Sequence, residues 1–411
     1  MPPRPGRSAA LVIAHVAGMI DLVALPVWVG TLMQHFGFDA QRAGALVTVY
    51  LLVAVLVSSF VAPRFERVRA HVSAPLGFAL AVLGFLALSQ LSGFGAMCVA
   101  HAIAGAGIGC GLSCAHGAIG RTSNPHRLFA MSHLALALFA VAFLGGAPQV
   151  VAHFGGASMF ILFAVVSGMA CVATALGFPR SRSAHGYSAR TVSGAVSDAQ
   201  ARAPMVPAGR PARVSLPPGC WSAIAGIALM AVNQALVFSF VERIGVARGF
   251  GTDHVNGVLI AVGLVNLLPP VLAAVLQKRL DARSVAIAGP IAQVVLALTI
   301  SRATTFMPFA VATSLWVFAM IFTHTFLFGL LARLDQSGRA VASTPAMLMA
   351  GSAVGPILGG VLIVHFGFEA IGSAATVIGL ASLICLARLR GVRIESALPE
   401  VAPGHEMQPL P

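Results

Sequence analysis

The chain predicts an all-α integral membrane protein, with twelve transmembrane helices in two pseudo-symmetric six-helix bundles. Three observations predict it. First, twelve long apolar stretches punctuate the 411 residues, and a bilayer core takes roughly 20 apolar residues per helical span at about 1.5 Å rise each. They occupy 9–33, 43–62, 73–91, 95–119, 129–151, 157–178, 220–241, 255–276, 285–302, 305–330, 344–366 and 367–389. Second, 21 of the 25 Lys and Arg residues fall on one side of the topology these stretches imply. Third, a polar segment separates two halves of 170 residues each, 9–178 and 220–389, with six stretches apiece. Six crossings return the chain to the side it left, so the halves form a parallel repeat.

Composition points the same way. Hydrophobic residues make up 58% of the chain and charged residues 9%, with a mean hydropathy of +0.91, which lies outside the make-up of a soluble domain. A net charge of +13 would suggest a nucleic-acid partner in a soluble protein. Here the cations sit in short loops, where the cytoplasmic excess of Lys and Arg explains them and places both termini inside. One Lys against 24 Arg suggests a GC-rich genome, hence a bacterial inner membrane, and a monomer is expected.

Taken in order, the first stretch follows Met1–Arg7. It is too long for the apolar region of a signal peptide and is interrupted by Asp21, so it reads as a retained helix. The second ends at Arg64-Phe65-Glu66-Arg67, and the fourth carries Gly105, Gly107, Gly109 and Gly111 as a close-packing stripe. After the sixth, residues 179–219 are rich in Ser, Ala, Pro and Arg without apolar periodicity, which reads as a disordered cytoplasmic linker. The expected domains are therefore 1–178, the linker, a second bundle over 220–389, and a tail over 390–411. The six cysteines fall in or at the edges of spans, with no disulfide framework or zinc pattern. Cys110 and Cys114 near His116 read as helix packing rather than a metal site.

Short echoes support duplication. His35-Phe36-Gly37-Phe38-Asp39-Ala40 closes the first span and His365-Phe366-Gly367-Phe368-Glu369-Ala370 the eleventh, while His153-Phe154-Gly155 closes the fifth. Arg64-Phe65-Glu66 after the second span is matched by Arg279-Leu280-Asp281 after the eighth. In the eleventh span Gly351-Ser352-Ala353-Val354-Gly355-Pro356-Ile357-Leu358-Gly359-Gly360 reads G-x-x-x-G-P-x-x-G-G.

With these features the chain resembles the major facilitator superfamily, apart from the tails and linker. The glycine–proline run is similar to the family's antiporter motif, placed on the repeat partner of its usual helix. The family's loop motif survives as Arg64 and Arg67, with Pro63 in the aspartate position. The resemblance implies secondary transport by alternating access. It also implies gating roles for Arg64, Arg67 and Arg279. In the eleventh span Gly351, Gly355, Gly359 and Gly360 let helices approach and Pro356 permits a bend, which reads either as a gate hinge or as static packing.

Asp21 is the one acid expected deep inside a span. An ionised carboxylate there costs on the order of 3 kcal/mol, so a proton-coupling or cation site is the natural reason for it. The competing reading is an interhelical hydrogen bond. His101 opens His-x-x-x-Gly-x-Gly, similar to a family motif with Arg in the first place, and histidine exchanges protons near neutral pH. It lies roughly 9 Å outward of Asp21 in depth. Asn233, Gln234 and Asn266 share Asp21's depth and can both donate to and accept from a polar substrate, or simply bond between helices. Adjacent Asn233 and Gln234 diverge by about 100° on a helix, so one of them faces the cavity. His116, His133 and His324 lie nearer the cytoplasm. Trp28 and Trp316 are candidates to stack a flat substrate, with His324 and Trp28 joining the amides as substrate-binding candidates.

No Lys or Arg occupies the centre of a span, which argues against a multiply charged anionic substrate. The expected function is proton-coupled export of a small lipophilic or cationic compound. Uptake of a small neutral metabolite and a non-transporting membrane sensor are the alternatives. No nucleophile–base arrangement, metal-ligand cluster, cofactor motif or filter loop points to an enzyme or a channel.

Overall fold

The computed structural model describes residues 5–65, 67–122, 125–178, 218–277, 279–334 and 344–391. Twelve helices long and apolar enough to cross a membrane make up almost all of them, and no strand occurs among the described residues. They are α1 (Gly6–Gln34), α2 (Ala40–Val61), α3 (Ala70–Leu88), α4 (Phe94–Gly120), α5 (Arg127–Phe154) and α6 (Ala157–Gly177), followed by α7 (Gly219–Ala247), α8 (Thr252–Ala273), α9 (Ala282–Arg302), α10 (Phe306–Leu331), α11 (Met347–Phe366) and α12 (Glu369–Ala387). Each coincides with one predicted stretch. The predicted linker lies outside the described residues except Pro218 and Gly219, where the helical segment leading into α7 begins; the tail does too after the short turn Arg388–Gly391. Glu66, Lys278 and Arg339 also lie outside them.

An even number of crossings puts both ends on one face, here the terminal face, opposite a distal face. At the distal ends of α1, α5, α7 and α11 the chain turns on Gly37, Gly155, Gly249 and Gly367, with φ of 70°, 79°, 79° and 76°. Only glycine enters that left-handed region without a Cβ penalty, and there it closes a helix. The echoed His-Phe-Gly segments are thus C-terminal caps, repeated because corresponding helices end alike.

Three helices are discontinuous, which apolar length alone does not reveal. In α1 the segments Pro5–Gly18 and Ile20–Gln34 meet at Met19, with φ −114° and ψ 14°. In α7 they are Pro218–Phe238 and Val241–Ala247, meeting at Ser239 and Phe240, where Phe240 has φ −114° and ψ 2°. In α8 they are Thr252–Val265 and Leu268–Leu276. Pro269 and Pro270 explain the last, since neither has an N–H and each ring crowds the preceding turn.

Within the first half α1 packs on α4, α5 and α6, and α3 on α4 and α6; in the second α7 packs on α11 and α12, and α9 on α10 and α12. The halves meet along α2–α11, α5–α8 and α1–α7. The first two seams exchange under the repeat and the third maps onto itself, as a pseudo-two-fold axis between the bundles requires. Glycine makes them close: Gly44 lies on the Pro356 carbonyl, Gly360 on the Ala40 carbonyl, Gly263 on Val141 and Gly145 on Ile260. Toward the terminal face the α2–α11 seam extends to Met349, clustered with Ala54, Leu112 and Met19. These contacts hold the halves together from Gly360 on Ala40 at the distal ends to Met349 beside Met19 at the α1 break.

Candidate functional site

Asp21 is the second residue of the distal segment of α1. The N–H groups of Asp21 and Leu22 lie beside its carboxyl, at the end of a helix segment that favours negative charge. It is buried, at 3% exposure, and its Oδ1 has no hydrogen-bond partner. Met19, at the break, belongs to the cluster that ends the α2–α11 seam. Asp21 therefore sits at mid-depth, beside the floor of the closed seam. Tyr50 of α2 is near enough to feel its charge, and the Tyr50 hydroxyl is also buried without a partner.

Tyr50 leads to the aromatic interior of the first half. Trp28 meets Tyr50 edge-on at 5.0 Å between ring centres, stacks on His101 at 5.5 Å and 13°, and abuts Phe163 at 4.9 Å. His101 Nδ1 bonds the Met97 carbonyl at 2.8 Å, which uses one ring nitrogen, and its Nε2 is unpartnered. Trp28 and His101 are both fully buried among α1, α2, α4 and α6. His101 thus reaches Asp21's neighbourhood through Trp28 and Tyr50 rather than by direct contact.

On the terminal side of Asp21 three histidines from three helices come together. His15 Nδ1 is 2.9 Å from His116 Nε2, and the His15 ring centre is 4.9 Å from that of His133. His15 is fully buried with Nε2 unpartnered, whereas His133 is exposed and bonds the Phe129 carbonyl. Single histidines on separate helices give no sign of such a cluster in the sequence, and nothing there singles out His15. Among the described residues no group of three or more His, Cys, Asp or Glu side chains is spaced to hold a metal ion.

The second half offers amides instead. Asn233 of α7 donates Nδ2 to the Ala375 carbonyl of α12 at 2.9 Å, so it points into its own bundle. Gln234, half-buried, leaves its Oε1 unpartnered while its backbone carbonyl accepts the Trp316 indole N–H at 3.4 Å. Asn266 caps the first segment of α8 at its break and has a buried, unpartnered Oδ1. His324 is buried, stacks on Phe328 at 5.5 Å, and has an unpartnered Nε2.

The glycine–proline run of α11 works on two faces. Gly351, Gly355 and Gly359, at i, i+4 and i+8, lie against Ala228 and Ala231, Ala235 and Leu236, and Leu236 and Phe240 of α7. Pro356 and Gly360, one residue round, lie against α2, where Thr48 Oγ1 accepts the Ile357 N–H at 3.2 Å. One helix thus joins its own bundle and the opposite one through small residues. Arg64, Arg67 and Arg279 are exposed on the terminal face; Arg64 lies over the Phe60 ring at 4.0 Å and bonds its carbonyl.

Glu242 is a residue that the spans place at a membrane edge. The structure buries it in the α1–α7 seam, where Gln34 Nε2 donates to its Oε1 at 3.2 Å and its Oε2 lies on Gly30 without a partner. The signal was the tail of apolar residues after Glu242, which extends α7 beyond the acid.

The sequence profile of the Major Facilitator Superfamily matches residues 10–334. The chain belongs to that superfamily. No curated protein matches it. As a major facilitator protein it is similar in fold to a D-xylose–proton symporter, at 12% identity and a TM-score of 0.68, covering 94% of this chain and 97% of that one. It is likewise similar to a mutant of the peptide transporter POT in complex with alafosfalin, at 13% and 0.69, covering 95% and 97%. A mutant of the nucleoside transporter NupG follows at 11% and 0.66, covering 93% and 98%. At these identities the likeness carries the fold alone. A superfamily transporter with twelve helices is a multi-pass membrane protein, and transport rather than catalysis is what its architecture serves.

Proposed function

We propose that the protein exports a small lipophilic or cationic compound in exchange for protons, by alternating access, in a bacterial inner membrane with both termini cytoplasmic. The carrying observation is Asp21: a buried carboxyl with an unpartnered oxygen, at the break of α1 and beside the floor of the distal seam. An unmatched charge there is costly, and a proton or a cationic compound relieves it in turn.

The Lys and Arg bias makes the terminal face cytoplasmic. With the distal seam closed, Asp21 gives its proton to the cytoplasmic side, and the compound takes its place. Gln234, Asn266 and His324 provide the polar wall opposite, and Trp28 backs the site through Tyr50. Rocking about the α2–α11 and α5–α8 seams, where glycines let backbones slide, then exposes the site outside. There the compound leaves and a proton returns to Asp21. His101, reached through Trp28, tunes this exchange, and Arg64, Arg67 and Arg279 hold the cytoplasmic ends of the gate.

Uptake of a small neutral metabolite with protons is the second reading. The unpartnered amide oxygens of Gln234 and Asn266 favour it, and a sugar–proton symporter shares the fold. The test is proton release by purified protein titrated with a compound panel, comparing wild type with Asp21→Asn. Release on binding that disappears in Asp21→Asn supports exchange, and proton uptake on binding supports symport. Binding with no proton movement in either protein removes Asp21 from the mechanism. Absence of substrate-dependent flux in vesicles would instead support a sensor.

A further inference from the structure

Glu242 is a second buried acid, and its setting parallels that of Asp21. Each is the second residue of the segment that follows an interruption, in α1 and in α7, the two helices that face each other across the pseudo-two-fold axis. Each is almost fully buried, at 3% and 7% exposure, and each has one carboxyl oxygen without a partner. Their depths differ: Asp21 lies at mid-depth, whereas Glu242 lies in the distal seam.

The seam itself shows what Glu242 needs. Gln34, the last residue of α1, donates to Oε1, while Oε2 is pressed on Gly30, where even a methyl group would overlap it. No water fits between them. The charged group acting on Glu242 is its neighbour Arg243, which forms no ion pair with it among the described residues, and whose Nε is itself buried and unpartnered. The other ionisable groups on the elements around it are committed or turned outward: Arg248 to Glu369 at 3.2 Å, Arg302 to the Ser373 hydroxyl at 3.3 Å, the His254 ring to the Phe250 carbonyl at 3.1 Å, with His35 and Asp253 exposed. A carboxylate held here has one oxygen stranded against an apolar wall, its charge desolvated without a compensating hydrogen bond. When the α1–α7 seam opens, the same carboxylate meets water and its charge is paid by hydration.

We propose that Glu242 is a second proton-binding site, which takes up a proton from the distal side as the α1–α7 seam closes and returns it there as the seam opens. The role rests on the alternating-access reading above, but the site is separate from Asp21. Acid on the distal side therefore favours the conformation closed on that side, whatever occupies the central site.

The experiment uses the full chain with its six cysteines replaced, spin labels on His35→Cys and Ala247→Cys, and pulsed distance measurement from pH 5 to 9. An Asp21→Asn background removes the central carboxyl from the titration. The expected result is a short-distance population that grows as pH falls, by up to about tenfold per pH unit, the limit for one linked proton. Glu242→Gln, of nearly equal shape, holds the seam closed at every pH, and Glu242→Asp keeps a pH response. A population that does not move with pH, or moves identically after Glu242→Gln, overturns the proposal. So does a seam that follows sodium concentration at constant pH. None of these readouts needs a substrate, so their failure leaves the Asp21 reading standing, and a loss of compound-driven proton release leaves this one standing.

Discussion

The two halves share a fold and a set of helix caps but not a chemistry. The first carries its buried polarity as titratable groups: Asp21, Tyr50, His15, His101 and, half-buried, His116. The second carries it at mid-depth as amides, with Asn233 and Gln293 fully buried and Gln234 and Asn266 half-buried, and its titratable groups lie elsewhere, with His324 toward the terminal side and Glu242 in the distal seam. Corresponding helices start, end and cross alike in the two halves. The pseudo-two-fold axis then brings a wall with a carboxyl at mid-depth to face one that offers amides at that depth. A coupled carrier is served by that asymmetry, because the proton and the compound need different partners and one shared cavity.

The interruptions differ in the same way. The α1 break lies at mid-depth beside Asp21, while the α7 break lies one or two turns from the distal end beside Glu242. Repeat symmetry does not exchange them, so each half has placed its buried acid separately.

Substitutions on α11 sharpen the contrast between contacts inside a half and contacts between halves. Gly355→Val drives a side chain into Ala235 and Leu236 of its own bundle. It should cost about 3 kcal/mol or more, read as a large drop in detergent melting temperature or loss of folded protein. Gly360→Val meets the Ala40 backbone of the opposite bundle instead. It should fold, and shift the equilibrium away from the distally closed state by about 1–3 kcal/mol, roughly 5- to 150-fold, read by labelling of distal cysteines. Equal melting losses for both would mean that α11 does not divide its faces as described.

Replacements in the two walls give smaller effects. His101→Phe keeps the stack on Trp28 and should slow proton-driven flux by about tenfold or less, near 1.4 kcal/mol, since its ring reaches Asp21 only through other side chains. Gln234→Ala and Asn266→Ala should each weaken compound affinity by about fivefold, near 1 kcal/mol for one lost hydrogen bond, without altering protons moved per compound. Asn233→Ala should leave affinity unchanged and lower stability by about 1 kcal/mol through the Ala375 carbonyl. Isothermal titration separates the first pair from the last.

The fold was legible because hydrocarbon thickness and backbone satisfaction leave little choice: a long apolar run must become a helix of about that length. Pro269 and Pro270 made the α8 break readable, whereas Met19 and Phe240 carry no such mark. The glycine–proline run showed that helices approach closely, but only the structure shows that its i, i+4, i+8 positions serve α7 and that Pro356 and Gly360 serve α2. Depth along a helix follows from counting, and the side of the helix does not. Asn233 and Gln234 were expected to diverge for that reason, yet which of them faces its own bundle required α12. The same limit concealed the meeting of His15, His116 and His133 from three helices, and left Glu242 at an apparent membrane edge when it belongs to a seam.

On the proposed mechanism Asp21 couples the compound to the proton without being needed for movement between the two faces. Proteoliposomes loaded with compound allow both to be read in one preparation, as exchange of labelled for unlabelled compound with no gradient and as accumulation driven by a pH gradient. Asp21→Asn should keep exchange and lose the gradient-driven component to background. Gradient-driven accumulation that survives in Asp21→Asn would rule out Asp21 as the coupling residue.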